Sequence, residues 1–239
     1  MAKSLIHFFR NYFYISSPDV DNKKKLDKQF FNYWSVTWGF KFVESFSNFL
    51  YAYNLEDEES SVVFNISRNF FYIPKNPKIL ENYKESLSKL FEVSLFKMSL
   101  LTEDDVETYK NDPAEYFKKN DDLAFERSLR ESATNIVNSL AQNGFYDNLI
   151  QIITNKMTAN SSIIEKENCY YYIQKLKGRI IKDAKNGISS IEHLFANYIL
   201  PDGNHEIGIL RTRVIILVEQ FCNYFQDSTL IQKDRKSVV

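Results

Sequence analysis

Glycine and proline are scarce in this chain, whose 239 residues include six glycines and five prolines. Sheet-rich folds need these residues at their many turns, so the shortage favours long helices joined by short connections. Hydrophobic residues make up 44% and charged residues 26% of the chain, which is too apolar for a disordered protein. The sequence therefore predicts an all-α fold of one large domain or two small ones.

Cysteine and histidine, two residues common in metal sites and catalysis, are also rare. Cys169 and Cys222 are far apart and form no Cys-x-x-C motif, which predicts two buried, reduced thiols. The three histidines, at positions 7, 193 and 205, lie neither at the spacing of paired zinc ligands nor near a cysteine in sequence. We therefore predict no metal site.

Catalytic motifs are absent as well. The six glycines are dispersed, so no glycine-rich loop could hold a phosphate. Neighbouring carboxylates at residues 56–59, 103–105 and 121–122 fall in predicted turns or helix N-termini, where acidic side chains stay hydrated and favour the helix dipole. The sequence predicts no catalytic residue and no cofactor, and hence a protein that acts by binding and is not an enzyme.

Neither sign of charge is in large excess. The chain has 30 basic and 31 acidic residues, so its overall charge does not indicate direct binding of nucleic acid. The most apolar run, residues 36–53, contains Lys41 and Glu44 near its middle. A transmembrane helix needs about 20 nearly uncharged residues. The sequence therefore predicts neither nucleic-acid binding nor membrane insertion.

What the chain does contain is helical periodicity. Apolar residues recur at three- and four-residue steps, as on one face of a helix. Residues that commonly end helices interrupt the pattern at Asn143-Gly144, Asn186-Gly187 and Pro201-Asp202-Gly203. Predicted helices occupy residues 3–14, 21–54, 61–72, 82–101, 123–142, 145–157, 165–185, 189–200 and 206–225.

Two of these helices share a residue pattern. Leu129-Arg130 in one has a counterpart in Leu210-Arg211, 81 residues later. The apolar positions that follow are Ala133, Ile136, Val137 and Leu140 in the first helix and Val214, Leu217, Val218 and Phe221 in the second. The offset equals two units of about 40 residues, which is within the range of HEAT-type helical repeats.

One stretch resembles a known family. It consists of an apolar helix end at Leu100-Leu101, the acidic segment 102–106, Tyr109, Asp112-Pro113 and Glu115-Tyr116-Phe117. This order is similar to the middle of importin-β-type nuclear transport receptors (karyopherins). Residues 190–201, which end in Ile-Leu-Pro, and the helix start at 209–214 are similar to later parts of the same family.

The resemblance implies an α-solenoid of HEAT-like antiparallel helix pairs. It also implies binding of protein cargo under the control of the GTPase Ran, with nucleoporins as further partners and a location in cytoplasm and nucleus. The candidate partner-binding residues are Glu103, Asp104, Asp105 and Asp112, because such receptors bind basic signals on acidic surfaces. The other interpretation is that Glu103 to Asp105 only cap a helix.

The pattern divides the chain into three segments. Residues 1–78 are predicted to be an N-terminal helical segment of diverged HEAT repeats, residues 79–226 a HEAT-like repeat segment with the acidic turn near 102–117, and residues 227–239 a truncated or frayed tail. Full receptors of the family are several times longer, so we expect the chain to be a fragment. Two other functions stay open: a HEAT-like scaffold or adaptor outside transport, and a helical enzyme with an unrecognised active site.

Overall fold

The computed structural model describes residues 77–116, 129–158, 161–187 and 190–225. Helical residues make up 86% of this part and no strand occurs in it, so the predicted all-α fold is confirmed for these ranges. The helices predicted at 3–14, 21–54 and 61–72 and the tail at 227–239 lie outside the described residues. The three segment boundaries and the pairing of helices as HEAT repeats remain predictions.

The α-helices of the described part are named in chain order. They are α1 (Pro77–Leu90), α2 (Glu103–Asn111), α3 (Leu129–Leu140), α4 (Tyr146–Thr158), α5 (Ile163–Lys175), α6 (Lys177–Lys185), α7 (Ile191–Leu194) and α8 (Gly208–Phe221). Wider π-helical turns occur at Phe91–Leu95 and Phe195–Ile199, a short α-helical turn at Phe96–Met98, and 3₁₀ turns at Leu200–Asp202 and Cys222–Tyr224. Between α3 and α4, residues Ala141–Phe145 form a kink at Gly144, which has non-helical backbone angles.

The described residues fall into two compact units. The first contains residues 77–99 and 129–149, and the second contains residues 100–116, 150–158, 161–187 and 190–225.

The core of the first unit is formed by the predicted apolar stripes. Leu87, Leu90, Phe91 and Leu95 are fully buried, and the turn Phe91–Leu95 contacts α3. The side chains that α3 contributes are also buried: Ala133, Ile136, Val137 and Leu140. The rings of Phe91 and Phe96 meet edge to face with centroids 6.0 Å apart, a favourable arrangement for an aromatic pair.

The second unit is built around α5, which packs along α8. Seven consecutive residues of α5, from Glu167 to Ile173, are buried, so the middle of this helix is surrounded on all sides. Phe221 at the end of α8 packs against Phe195, with ring centroids 5.2 Å apart. A helix enclosed in this way does not show the single apolar stripe of a surface helix, which is why its central position was not evident from periodicity.

Glycine ends helices where the sequence predicts. Gly144 has φ 104° and Gly187 has φ 70°, backbone conformations that glycine adopts without the steric cost of a Cβ. The helix predicted over 165–185 is divided in two, however. Leu176, between α5 and α6, has φ −87° and ψ 4°, and it ends α5 while its carbonyl accepts the first hydrogen bonds of α6.

The two helices of the predicted repeat share their pattern of burial. Ala133, Ile136 and Leu140 of α3 and their counterparts in α8 are all buried. The paired arginines differ, because Arg130 is buried whereas Arg211 is exposed and donates to the backbone carbonyl of His205 over 2.8 Å. The fourth pair also differs, because Val137 is buried whereas Val218 is half-buried. Three of the four apolar pairs thus agree in burial, and the assignment of these helices to HEAT repeats remains a prediction.

Candidate functional site

The acidic segment forms the start of a helix. Glu103 to Asp105 are the first three residues of α2, as the helix-cap interpretation of the sequence predicts and not as a free-standing turn. The hydroxyl oxygen of Thr102 accepts from the backbone N–H of Asp105 (3.1 Å), and the Asp105 carboxylate accepts from the Thr102 N–H (3.0 Å). This reciprocal capping box satisfies two backbone donors at the helix start, and the acidic residues favour the positive end of the helix dipole.

Asp112 joins α2 to the helical turn at residues 113–116. Its backbone N–H donates to the carbonyl of Thr108 (2.8 Å), which ends α2. Its side-chain Oδ1 accepts from the N–H of Glu115 (2.9 Å), and Pro113 takes the first helical position, where a missing N–H costs nothing. Asp112 therefore has a defined local structural role, while its role in binding a partner remains a prediction.

The inner side of α2 packs on a small apolar cluster. Val106 and Tyr109 contact the buried side chains of Leu101, Tyr116 and Ile209. The rings of Tyr109 and Tyr116 meet edge to face with centroids 5.4 Å apart. This contact fixes which face of α2 points outward: Glu103, Asp104, Glu107 and Lys110 are all exposed.

A hydrogen bond and a close backbone approach attach Tyr109 to α8. The Tyr109 hydroxyl lies 2.9 Å from Oγ1 of Thr212. Thr212 uses its own hydroxyl hydrogen to donate to the carbonyl of Gly208 (2.9 Å), so Tyr109 is the donor. A Cβ at Gly208 would lie 2.9 Å from the Tyr109 hydroxyl oxygen. Glycine at this position leaves room for the tyrosine ring against α8.

An open groove lies where α2 meets the start of α5. Its volume is about 460 Å³, and it is lined by Glu103, Val106, Glu107, Lys110, Asn111 and Ile164. We call these six residues the α2 groove. Ile164 of α5 is 38% exposed and supplies an apolar wall together with Val106. Two carboxylates and one ammonium group therefore border an apolar surface that is open to solvent.

A second polar cluster holds the turn at Leu200–Asp202 against α5. Lys166 places its ammonium nitrogen 3.1 Å from one carboxylate oxygen of Asp202 and 3.2 Å from the other. The hydroxyl of Tyr170 lies 2.6 Å from Asp202 Oδ2 and 2.6 Å from the carbonyl oxygen of Tyr198. Its single hydrogen is thus shared between two acceptors. The ion pair of Lys166 and the hydrogen bonds of Tyr170 both hold the turn to α5.

The groups in and beside this cluster are not poised for chemistry. Burial, and then the neighbouring Asp202 carboxylate, raise the pKa of Tyr170 above its ordinary range. Burial also raises the pKa of the Cys169 thiol to about 12. Because the thiolate is the nucleophilic form, Cys169 is inert at neutral pH. These shifts follow from desolvation of the charged forms and fit a structural role.

A buried ion pair connects α5 to α8. Arg213, which is 1% exposed, places Nε 2.9 Å from the carboxylate of the fully buried Glu167. Its guanidinium also donates to the side-chain carbonyl of Gln174 and lies over the ring of Tyr171, 5.3 Å from the centroid. A buried charge is tolerated when it is paired and hydrogen-bonded in this way.

Two histidines and both cysteines lie in the described part of the chain. His193 is exposed on α7, and Nδ1 of His205 accepts from the backbone N–H of Ile207 (3.2 Å). Cys169 is buried and Cys222 is half-buried, and both are free thiols. Over the described ranges no group of three or more His, Cys, Asp or Glu side chains could hold a metal ion. Nor does any helix in those ranges have the length and apolar character needed to span a bilayer.

Sequence reasoning missed both polar clusters of the second unit. Lys166 and Asp202 are 36 residues apart, and Glu167 and Arg213 are 46 apart, so no local spacing connects them. Asp202 was interpreted only as part of a turn that stops a helix. The four-residue spacing of Lys166 and Tyr170 predicts a shared helix face, but not what that face contacts.

No protein-family model matches this chain, and no curated protein matches it. Its function is therefore inferred from the residues themselves.

Proposed function

We propose that this chain acts by binding a protein partner, and that the α2 groove receives a basic segment of that partner. The observation that carries the proposal is the pairing of Glu103 and Glu107, one helical turn apart, with the apolar side chains of Val106 and Ile164 in the same open groove. A lysine or arginine side chain fits such a surface, because its charged end meets a carboxylate while its aliphatic stem covers apolar atoms.

Each charged residue of the groove contributes only a small binding free energy. An exposed ion pair contributes about 0.2–1 kcal/mol and weakens as salt is added. Two carboxylates with an apolar wall support a weak, salt-dependent contact that becomes strong only as part of a larger interface. Lys110 also lines the groove, and its positive charge repels basic side chains of a partner that lie next to it. The partner is therefore favoured in the orientation that keeps its basic side chains near the glutamates.

The finer proposal is that the chain is a segment of an importin-β-type transport receptor that binds protein cargo under the control of Ran. The order of motifs from Leu101 to Phe117 supports it, together with the repeated apolar pattern of α3 and α8 and the helical fold of the described residues. A HEAT-like solenoid exposes long surfaces that suit cargo. Nucleoporins are further expected partners, and shuttling between cytoplasm and nucleus is the expected location.

The groove is tested with a double variant that removes two negative charges, Glu103→Gln with Glu107→Gln. The probe is a fluorescent peptide of lysines around a single leucine, and binding is measured by fluorescence anisotropy at low and at moderate salt. We expect affinity to fall about fivefold at low salt and the difference to shrink as salt rises.

The matched control removes two exposed carboxylates from the first unit, Glu85→Gln with Glu92→Gln. It changes net charge by the same amount and should leave affinity nearly unchanged. Equal losses in both double variants would mean that the peptide responds only to overall charge, and the groove would not be a binding site.

The transport proposal is tested by capture on Ran. Native protein from lysate is passed over Ran loaded with non-hydrolysable GTP, with Ran-GDP as the control, and the bound protein is detected by an antibody to this chain. Selective capture by the GTP form is expected, because these receptors exchange cargo according to the nucleotide on Ran. Failure to distinguish the two forms would remove the transport proposal and leave a scaffold or adaptor.

A further inference from the structure

Helix α2 buries little of its surface in the second unit. None of its nine residues, all of them described, is buried. In the part of the chain that the structure describes, its apolar contacts come from Val106 and Tyr109. By comparison, α5 contains seven consecutive buried residues. Regions with little buried apolar surface open at lower free-energy cost than the core that supports them.

The attachment is concentrated at Tyr109. Its ring packs on Tyr116, its hydroxyl donates to Thr212, and its edge fills the space left by the missing side chain of Gly208. Tyr109 does not line the α2 groove, so its contacts hold the helix without touching a ligand there.

The groove depends on this attachment. Five of its six residues belong to α2, and the sixth, Ile164, belongs to α5. A nine-residue helix has little stability in water by itself, even when its ends are capped. If α2 leaves its position, it loses both its helical structure and the apolar wall of the groove.

We infer that α2 is a detachable helix that opens and closes independently of α5 and α8, with the contact of Tyr109 to Gly208 and Thr212 as its latch. The α2 groove exists only in the closed state. Opening exposes the apolar side chains of Leu101, Tyr116 and Ile209. Tyr109 is thus a positioning residue for a groove that it does not line.

The test is amide hydrogen exchange of the full chain, read separately for α2 and α5. In the unmodified protein, amides 106–111 should exchange much faster than the central amides of α5. Tyr109→Phe, which removes only the hydroxyl, should speed exchange of α2 by about fivefold, the effect of one hydrogen bond. Exchange of α5 should not change.

A pair of glycine variants provides a matched control. Gly208→Ala places a methyl group against the Tyr109 hydroxyl, whereas Gly178→Ala on α6 places one where no atom lies within 4 Å. We expect Gly208→Ala to speed exchange of α2 and Gly178→Ala to leave it unchanged. In the double variant, Tyr109→Phe removes the hydroxyl oxygen that lies closest to the methyl group introduced by Gly208→Ala. Exchange of α2 should therefore be slower in the double variant than the sum of the two single effects predicts.

Two outcomes would overturn the inference. One is that α2 and α5 exchange at the same opening free energy, since α2 would then not open independently. The other is that Gly208→Ala speeds exchange of both helices equally, which would indicate general destabilisation. A third variant tests whether loss of any hydroxyl hydrogen bond speeds exchange of α2. Thr154→Val removes the hydrogen bond from the Thr154 hydroxyl to a backbone carbonyl of α4, and exchange of α2 should not change.

The link to binding rests on the proposed function and is measured separately. With the lysine-rich peptide as probe, Tyr109→Phe and Gly208→Ala should weaken binding by the factor by which they reduce the closed population. If the unmodified protein does not bind the peptide, the groove proposal fails while the exchange results still decide whether α2 detaches. If the exchange rates show that Gly208→Ala leaves less than half of the molecules closed and binding is still not weakened, the dependence of the groove on the latch is disproved.

Discussion

Arg213 brings a charged group into the core of the second unit. Its guanidinium is buried, paired with the Glu167 carboxylate and stacked over Tyr171. Both charges lie in a low-dielectric interior, so each is tolerated only because the other is present.

Removing one partner of this pair should therefore be costly. Arg213→Met leaves Glu167 as an uncompensated buried charge, and we expect a loss of about 3–5 kcal/mol in the free energy of unfolding. The measurement is urea unfolding followed by circular dichroism. Arg211→Met on the same helix is the matched control, because Arg211 is exposed, and it should cost less than about 1 kcal/mol.

The double variant Arg213→Met with Glu167→Gln separates charge from packing. Neutralising Glu167 should recover part of the lost stability, since no unpaired charge then remains. If the double variant is no more stable than Arg213→Met alone, the loss came from packing and the ion-pair explanation is incorrect.

At the scale of the element, caps and turns were the most predictable features. Gly144 and Gly187 adopt the positive φ angles expected of glycine after a helix, because this choice is dictated by local sterics. The break at Leu176 was not predicted, since leucine there fits a continuous helix. The capping role of Asp105 was one of two interpretations of the acidic segment, and the capping box with Thr102 bears it out.

The candidate site was less predictable than the caps. The acidic residues of α2 were recognised from the sequence, but Glu107, Val106 and Ile164 were not, because the groove forms only where α2 meets α5. Long-range pairs such as Tyr109 with Thr212 are separated by 103 residues. No periodicity within a single helix contains that information.

The cap of α5 gives a test at this scale. The backbone N–H and then the hydroxyl of Ser162 donate to the Glu165 carboxylate, and both bonds lower the pKa of Glu165. Ser162→Ala removes only the hydroxyl, so the pKa should rise towards its ordinary value without reaching it. The measurement is a carboxyl-carbon NMR titration of Glu165, with Ser161→Ala as the neighbouring control.

The sign of the pH effect follows from this shift. A carboxyl group whose pKa is lowered by folding stabilises the folded protein above its ordinary pKa, and this contribution is lost as pH falls through the folded value. An unchanged pKa in Ser162→Ala would contradict the assigned hydrogen bond. A rise of the Glu165 pKa in Ser161→Ala would show that the effect is not specific to the hydroxyl of Ser162.

For the whole molecule, the alkaline limit of stability is set partly by buried groups that must lose protons on unfolding. Burial raises the pKa of Cys169 from its ordinary value near 9 to about 12. The folded state therefore favours the protonated thiol, and its contribution is complete below pH 9 and lost as pH rises towards 12.

We accordingly expect the free energy of unfolding to fall between pH 9 and pH 11, with about 2 kcal/mol of the fall due to this thiol. Cys169→Ala lowers stability at neutral pH because it leaves a cavity, but it should show a shallower decline over the same range. Unfolding in urea at several pH values gives both slopes. Parallel slopes for the two proteins would show that Cys169 does not contribute.

The π-helical turns at Phe91–Leu95 and Phe195–Ile199 set the direction of the side chains that follow them. One extra residue in a helix rotates everything after it by about 100° about the axis. Deleting one residue from either turn to restore a regular α-helix would therefore rotate the following side chains away from the core that they now enter. Each turn fixes the register between the helical segments before and after it.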